Sequence, residues 1–384
     1  MSGFSHGGLD RIESVLKDHV AKGSAPGVVG LINRGEETHV FPVGKLALEG
    51  SAPVERNSIF RIASMTKAIT AAAVMALVED GKLSLDESVE RALPELKNRR
   101  VLKRLDGPVD DTVPAKRPIT VQDLLDFRLG WGIVFSEKPL PILGALGDLP
   151  GFGMPNPNWP GSPDEYMRRL GAAPLMYQPG EQWLYTLGSN IQGILVSRIS
   201  GQSLEEFFKA RFFEPLAMKD TDFWVPKGKL PRFASAYWPS EGQLTLFDPP
   251  EGMFAKPPPM PAGDSGLVST VDDYLAFAKF LRNGLAPDGK RLLSESSLKA
   301  MRTDYLSPEQ RLSGKLILGS DRGWGYGMAV GAGFYGWDGG FGTSWVNYST
   351  DQSTAILLTQ RLFSTPERPA VHTDFHKAVH AALA

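Results

Sequence analysis

Phe60-Arg61-Ile62-Ala63-Ser64-Met65-Thr66-Lys67-Ala68-Ile69-Thr70-Ala71-Ala72-Ala73-Val74-Met75-Ala76-Leu77-Val78 places a serine and a lysine, three residues apart, at the head of a nearly apolar run. Residues three apart lie on one face of a helix, so the Lys67 amine can reach the Ser64 hydroxyl. A lysine in an apolar wall is costly to keep charged. Its pKa falls, and it can serve as a base. A serine can become a nucleophile in this way without a histidine. Small apolar residues follow for more than two turns, which reads as a buried central helix with its polar pair at the N-terminal end. There the helix dipole favours developing negative charge. The same pattern also fits a capping serine beside a snorkelling lysine, so the surroundings must decide.

Two other Ser-x-x-Lys matches, Ser14…Lys17 and Ser296…Lys299, sit where charged and apolar residues alternate. They read as solvated helix faces.

With 384 residues the chain can build one large domain or two smaller ones. Apolar content of 42% and charged content of 22% are ordinary for a globular protein, and a net charge of −2 gives no reason to expect nucleic acid as a partner. The absence of cysteine excludes disulfides, thiolate metal sites and cysteine nucleophiles. The N-terminus lacks the basic start and apolar stretch of a signal peptide, and no apolar run approaches the roughly 20 residues of a membrane span. The expectation is a cytoplasmic protein with no membrane partner; the oligomeric state is not read.

Around the Ser64 helix, Leu9 to Ala21 has helical periodicity. Gly27-Val-Val-Gly-Leu-Ile-Asn33 and Thr38-His-Val-Phe-Pro42 read as strands joined by a turn at Arg34-Gly35-Glu36-Glu37. Helices are expected at Val121–Phe127 with Thr120 as N-cap, at Ser189–Ile199, at Leu204–Phe213, at Val271–Asn283 and at Val371–Leu383. Strands are expected at Met328–Val330, Ser344–Tyr348 and Thr354–Thr359. Pro139 to Pro163 reads as a long loop, the kind that often forms a functional wall or lid. The implied organisation is a sheet domain built from both termini, residues 1–81 and 231–384, with a mainly helical region, 82–230, inserted.

The six histidines all lie near the chain ends, none between residues 40 and 371. A serine–histidine–acid triad would have to borrow one of them. His372, His376 and His380 are spaced four apart, but no His-Glu-x-x-His accompanies them; an exposed helix face is expected and no metal site. Gly3-Phe4-Ser5-His6-Gly7 matches the Gly-x-Ser-x-Gly elbow but has no strand before it, and is expected to be a disordered terminus. Gly331-Ala-Gly-Phe-Tyr-Gly336 matches Gly-x-Gly-x-x-Gly but opens no helix, so no dinucleotide cofactor is expected.

Two constellations add to Ser64. Tyr185, in Trp183-Leu184-Tyr185 at a loop–helix junction, can point its hydroxyl into a cleft. Gly336-Trp337-Asp338-Gly339-Gly340 leads into a strand, where glycines allow close backbone approach and N–H groups can form an oxyanion hole.

Together, Ser64-x-x-Lys67, a tyrosine about 120 residues on, and a glycine motif before a C-terminal strand resemble the serine β-lactamase and penicillin-binding-protein superfamily. The likeness is greatest to its class C-like branch and the family VIII carboxylesterases. Gly81-Lys-Leu-Ser-Leu-Asp86, Ile119-Thr-Val-Gln-Asp-Leu-Leu125, Tyr177-Gln-Pro-Gly180 and Ser265-Gly-Leu-Val-Ser-Thr270 extend the resemblance over nearly the whole chain. It implies an α+β, β-lactamase/transpeptidase-like fold: an antiparallel sheet flanked by helices with the helical insertion. It implies Ser64 as nucleophile, Lys67 and Tyr185 sharing the base and proton-shuttle roles, and the backbone N–H groups of Ser64 and Gly340 as the oxyanion hole. It implies no cofactor. Two departures stand out. Leu187 occupies the asparagine position of Tyr-x-Asn, and Trp337-Asp338-Gly339 replaces Lys-Thr-Gly. Leu187 and Trp337 are expected to make an apolar mouth, with Asp338 and Gly339 also against the substrate. That favours a small neutral ester as substrate and a short-chain carboxylesterase as function. A β-lactamase or D-amino-acid peptidase, an acyltransferase of the same fold, and a catalytically dead binding protein are the alternatives.

Overall fold

Val28, Val29, Leu31 and Ile32 are all fully buried in the strand Gly27–Arg34, which shows no apolar–polar alternation. The reason is that both faces of its sheet are covered. Val28 and Ile32 join Ala355, Leu357, Val346 and Phe375 in one core, while Val29 and Leu31 join Ile356, Leu358 and Trp345 in another. This is the two-residue period of a strand read by two different cores.

The computed structural model describes residues 3–383. Seven strands form an antiparallel sheet in the order Glu37–Gly44, Gly27–Arg34, Ser353–Thr359, Thr343–Tyr348, Phe334–Gly339, Ala329–Gly331, Gly323–Trp324. The helices His6–Ala21 and Ala370–Leu383 cover one face. The helices Thr66–Glu79 and Val271–Asn283 contribute to the larger core on the other. Between them, residues 82–230 carry several helices, including Val121–Leu125, Pro163–Ala172 and Leu187–Ser200. The β-lactamase/transpeptidase-like arrangement expected from the sequence is the one observed.

Many local expectations hold because their signals are local. Thr120 caps Val121–Leu125 in a reciprocal capping box with Asp123. Val271–Asn283 starts at its Thr270 cap and ends at Gly284, where φ is +77°.

Other expectations need correction. Residues Gly3 to Gly7 are not a disordered terminus. Ser5 caps the first helix, accepting from the Gly8 N–H at 3.2 Å, and Phe4 is buried in the smaller core. His372 and His376 do not line an exposed helix face. Both are buried against the sheet, and only His380 is exposed. The Pro139–Pro163 loop contains a short helix, Pro141–Leu146, whose Ile142 and Leu146 reach the core. Leu204–Phe213 divides into an α-helix, Leu204–Phe208, and a π-helical turn, Lys209–Phe213. The hairpin Ala236–Ser240/Gln243–Asp248 and the strand Phe334–Gly339 were not anticipated as strands from their patterns. Glycines at 336 and 339 and a central tryptophan obscure the second. No helix among the described residues is long and apolar enough to cross a membrane.

Candidate active site

The approach to Ser64 is held from below. Phe60–Arg61 pairs with Val268–Ser269, and the Arg61 guanidinium is buried, donating to Asp248 Oδ2 at 2.7 Å and to the Ala234 carbonyl at 2.6 Å. The chain then turns sharply. Ala63 takes φ +43°, a conformation costly for a residue with a Cβ. Ser64 sits in a 3-10 turn, Ala63–Met65, just ahead of the helix Thr66–Glu79, so the serine precedes the helix instead of opening it.

Lys67 lies in the first helical turn and is 1% exposed. Its Nζ donates to Ser64 Oγ at 2.9 Å and to the Asp264 carbonyl at 2.7 Å. Burial pulls its pKa down to about 8, against a smaller opposing pull from the Asp264 carboxylate. The segment Gly263–Leu267 is fastened to the same helix. Thr70 Oγ1 donates to the Gly263 carbonyl at 2.6 Å, and Leu267 N–H donates to Thr66 Oγ1 at 3.2 Å. Lysine and serine are therefore held by backbone on both sides.

Tyr185 comes to the same place from the inserted region. Its ring lies 4.7 Å from Lys67 Nζ, and its hydroxyl accepts from the Trp337 indole N–H at 2.5 Å. Burial raises its pKa strongly, and hydrogen bonding with the Ser64 hydroxyl and the Trp337 indole draws it partly back. Thr186, the next residue, has φ +88°, and its Oγ1 donates to Asp264 Oδ2 at 3.1 Å. Strained non-glycine residues thus flank both Ser64 and Tyr185, a pattern typical of sites that over-determine their geometry.

The strand Phe334–Gly339 ends against the Ser64 turn. A Cβ on Gly339 would come within 2.2 Å of the Ile62 carbonyl, so only glycine fits that approach. Gly340 follows immediately, with open space where its Cβ would be. This brings together Ser64, Lys67, Tyr185, Trp337 and the Gly339–Gly340 backbone.

Leu187 and Asp338 are placed otherwise than expected. Leu187 is 0% exposed within the main core and lines no open mouth. It begins the helix Leu187–Ser200, and its side chain fills the space beside Gly151. Asp338 points to the opposite face of its strand from Trp337. There Arg368 donates to it at 2.7 and 3.1 Å, and Arg322 Nη1 lies 3.6 Å away. Burial alone would raise the Asp338 pKa, but the two guanidiniums hold it below the usual carboxylate range.

The sequence reading passed over Asp264. It is a buried carboxylate that bonds Thr186, Ser265 Oγ and, through its N–H, Asn190 Oδ1. Its signal in the sequence is a lone acid among small residues, Gly263-Asp264-Ser265-Gly266, directly before the segment Ser265–Thr270. Among the described residues, no group of three or more His, Asp or Glu side chains could hold a metal ion.

Two spaces adjoin the cluster. One, of about 260 Å³, is lined by Ile133, Phe135, Trp183, Tyr185, Leu316 and Ile317 among others, with no charged side chain. Phe135 and Leu316 are each 56% exposed at its rim. The other, between Pro150–Pro157 and Ala262–Gly266 and touching Asp264, holds only about 10 Å³.

A family model described as Beta-lactamase matches residues 12–378. Protein Rv1367c of Mycobacterium tuberculosis is 33% identical over 94% of this chain and 91% of its own length. Esterase EstB of Burkholderia gladioli is 28% identical over 94% of this chain and 92% of its own. Among solved structures, EstCE1, described as a hydrolase with promiscuous acyltransferase activity, superposes with a TM-score of 0.81 at 23% identity, covering 97% of this chain and 98% of that one.

Proposed function

The chain belongs to the beta-lactamase family, and from that premise we propose that it is a serine hydrolase cleaving short-chain carboxylic esters through an acyl-enzyme on Ser64. The observation that carries the reading is the desolvated Lys67 amine, 2.9 Å from Ser64 Oγ. The likeness to an esterase over nearly the full chain supports it.

In this scheme neutral Lys67, working with Tyr185, takes the Ser64 proton as Oγ attacks the ester carbonyl carbon. The backbone N–H groups of Ser64 and Gly340 stabilise the oxyanion. Collapse breaks the bond to the alcohol oxygen, which leaves with a proton from the Lys67–Tyr185 pair. Water then repeats the sequence on the acyl-enzyme, releasing the acid. The leaving alcohol must lie beside Tyr185, so the 260 Å³ space takes the alcohol arm and the constricted Asp264 side favours a short acyl arm. No charged side chain awaits a β-lactam carboxylate in the larger space. An unpaired polar group buried there costs roughly 1–3 kcal/mol.

The test compares kcat/KM for p-nitrophenyl butyrate and nitrocefin on one preparation, with Ser64→Ala as control. Ester turnover should exceed nitrocefin turnover and be lost in the variant. A nitrocefin value equal to or above the ester value overturns the esterase reading. The uncharged space beside Tyr185 also suits an acceptor alcohol, which favours acyl transfer as a second reading. Adding an apolar alcohol to the ester assay and measuring the transester product separates the two.

A further inference from the structure

The strand Phe334–Gly339 is paired on both sides only as far as Gly336, where it meets Ala329. Beyond that point Trp337, Asp338 and Gly339 have one strand neighbour, and Arg322 lies along their open edge. Its Nε donates to the Leu318 carbonyl at 2.6 Å, which fixes the guanidinium. The guanidinium carbon stands 5.3 Å from the centre of the Trp337 ring, and Nη1 lies 3.6 Å from Asp338 Oδ2. Arg322 thus touches both faces of the strand: the indole that bonds Tyr185 and the carboxylate on the reverse. That carboxylate is shared with Arg368, and Asp321 adds a second acid that acts on both guanidiniums. A cation over an indole face withdraws electron density from it and makes its N–H a better donor. The indole N–H here donates to Tyr185 Oη.

We propose that Arg322 is a positioning residue for proton transfer: held over the Trp337 indole, it strengthens the indole N–H bond to Tyr185 Oη and favours negative charge on that oxygen. The proposal rests on the Ser64 acyl-enzyme reading and adds a residue to it. The charged and titratable groups around Tyr185 are few. Lys67 faces its ring from the Ser64 helix, and Asp264 acts from the loop beyond it. Asp338 acts from behind the strand. The two acids oppose an anionic Tyr185, whereas Lys67 when protonated and Arg322 favour it. The neutral rings of Phe127, Trp183 and Trp324 close the remaining sides. Arg322 is therefore the permanent cation of this shell that acts on Tyr185 through a hydrogen-bond donor.

The experiment follows kcat/KM against pH for a butyrate ester in wild type, Arg322→Gln, Arg322→Lys and Trp337→Phe. In parallel, the rate of Ser64 labelling by a p-nitrophenyl phosphonate reads serine activation without an ester. Arg322→Gln should move the acid limb to higher pH, with a loss of about tenfold at pH 7 that largely recovers by pH 9.5. Arg322→Lys should restore most of the loss. Trp337→Phe should also raise the limb, and Arg322→Gln should add little in that background, because the relay is already cut. A loss in Arg322→Gln that is equal at every pH marks a merely structural role and overturns the proposal. So does an unmoved limb, or a full additional shift in the Trp337→Phe background. If Arg322→Gln does not fold, Trp337→Phe and Arg322→Lys carry the test, and an unmoved limb in Trp337→Phe overturns it. If wild type labels at Ser64 but turns over no ester, the esterase reading fails while the labelling profile still judges Arg322. If Ser64 does not label at all, both fall.

Discussion

Replacing Lys67 by methionine should remove the chemistry and change how stability depends on pH. Burial lowers the lysine pKa from 10.5 to about 8 in the folded chain. The unfolded chain therefore holds a proton that the folded one has released across that window, and stability rises with pH through it. Each pKa unit is worth about 1.4 kcal/mol, so the buried charge costs wild type about 3 kcal/mol at pH 7. By pH 9.5 the same relation leaves about 1 kcal/mol. Methionine carries no such cost. It does lose the bonds to Ser64 Oγ and to the Asp264 carbonyl, roughly 1–3 kcal/mol if the carbonyl is left unsatisfied. That loss does not vary with pH. The measurable quantity is therefore the slope: the stability of Lys67→Met minus that of wild type should shrink by about 2 kcal/mol between pH 7 and pH 9.5. Urea or guanidinium unfolding at the two pH values gives it, with all other titrating groups common to both proteins. A difference that stays constant across the window would show that Lys67 is not desolvated in solution, and the case for its acting as a neutral base would go with it.

Further outcomes follow from the same geometry. Wild-type kcat/KM for a small ester should rise with pH through about 8, where the interacting Lys67–Tyr185 pair gives up a proton, chiefly from Lys67; a limb near pH 6.5 would point to a histidine instead. Lys67→Arg should stay inactive at every pH, since a guanidinium keeps its proton, and rescue by arginine would refute the base role. Ser64→Ala should lose at least about 10³-fold in turnover, whereas Ser5→Ala should keep its activity and lose only the cap of the first helix, about 1 kcal/mol. Asp248→Asn should lower stability by about 3–5 kcal/mol, because it leaves the buried Arg61 cation uncompensated; a thermal melt indistinguishable from wild type would refute that pair's role beneath the Ser64 turn.

Motif readings agree with the structure where conformation is set by neighbours in sequence. Ser64 and Lys67 meet because one helical turn joins them. Thr120, Thr270 and Gly284 bound their helices because caps are local devices. The N-terminal segment and the last helix were misread because both depend on distant partners. Phe4 is ordered by a core that includes Val346 and Ala382, and His372 and His376 are buried because that helix lies on the sheet. Leu187 and Asp338 were put at the substrate because their motif positions are there. A motif position does not say which way a side chain points once strand alternation and core packing act on it.

The amino-acid sequence by itself determined the serine–lysine pair, the helices and strands with strong local period, and the family to which those ordered motifs belong. The tertiary structure alone decided what surrounds the pair. It placed Tyr185 from the inserted region over Lys67, fastened Asp264 to the helix that follows Ser64, and set Arg322 against the indole that bonds Tyr185. The physical reason is range. Capping, turns and helical spacing act within a few residues and are written in order along the chain. Desolvation, hydrogen bonding and charge act across a few ångströms between groups from 15 to 197 residues apart, and only folding fixes those separations.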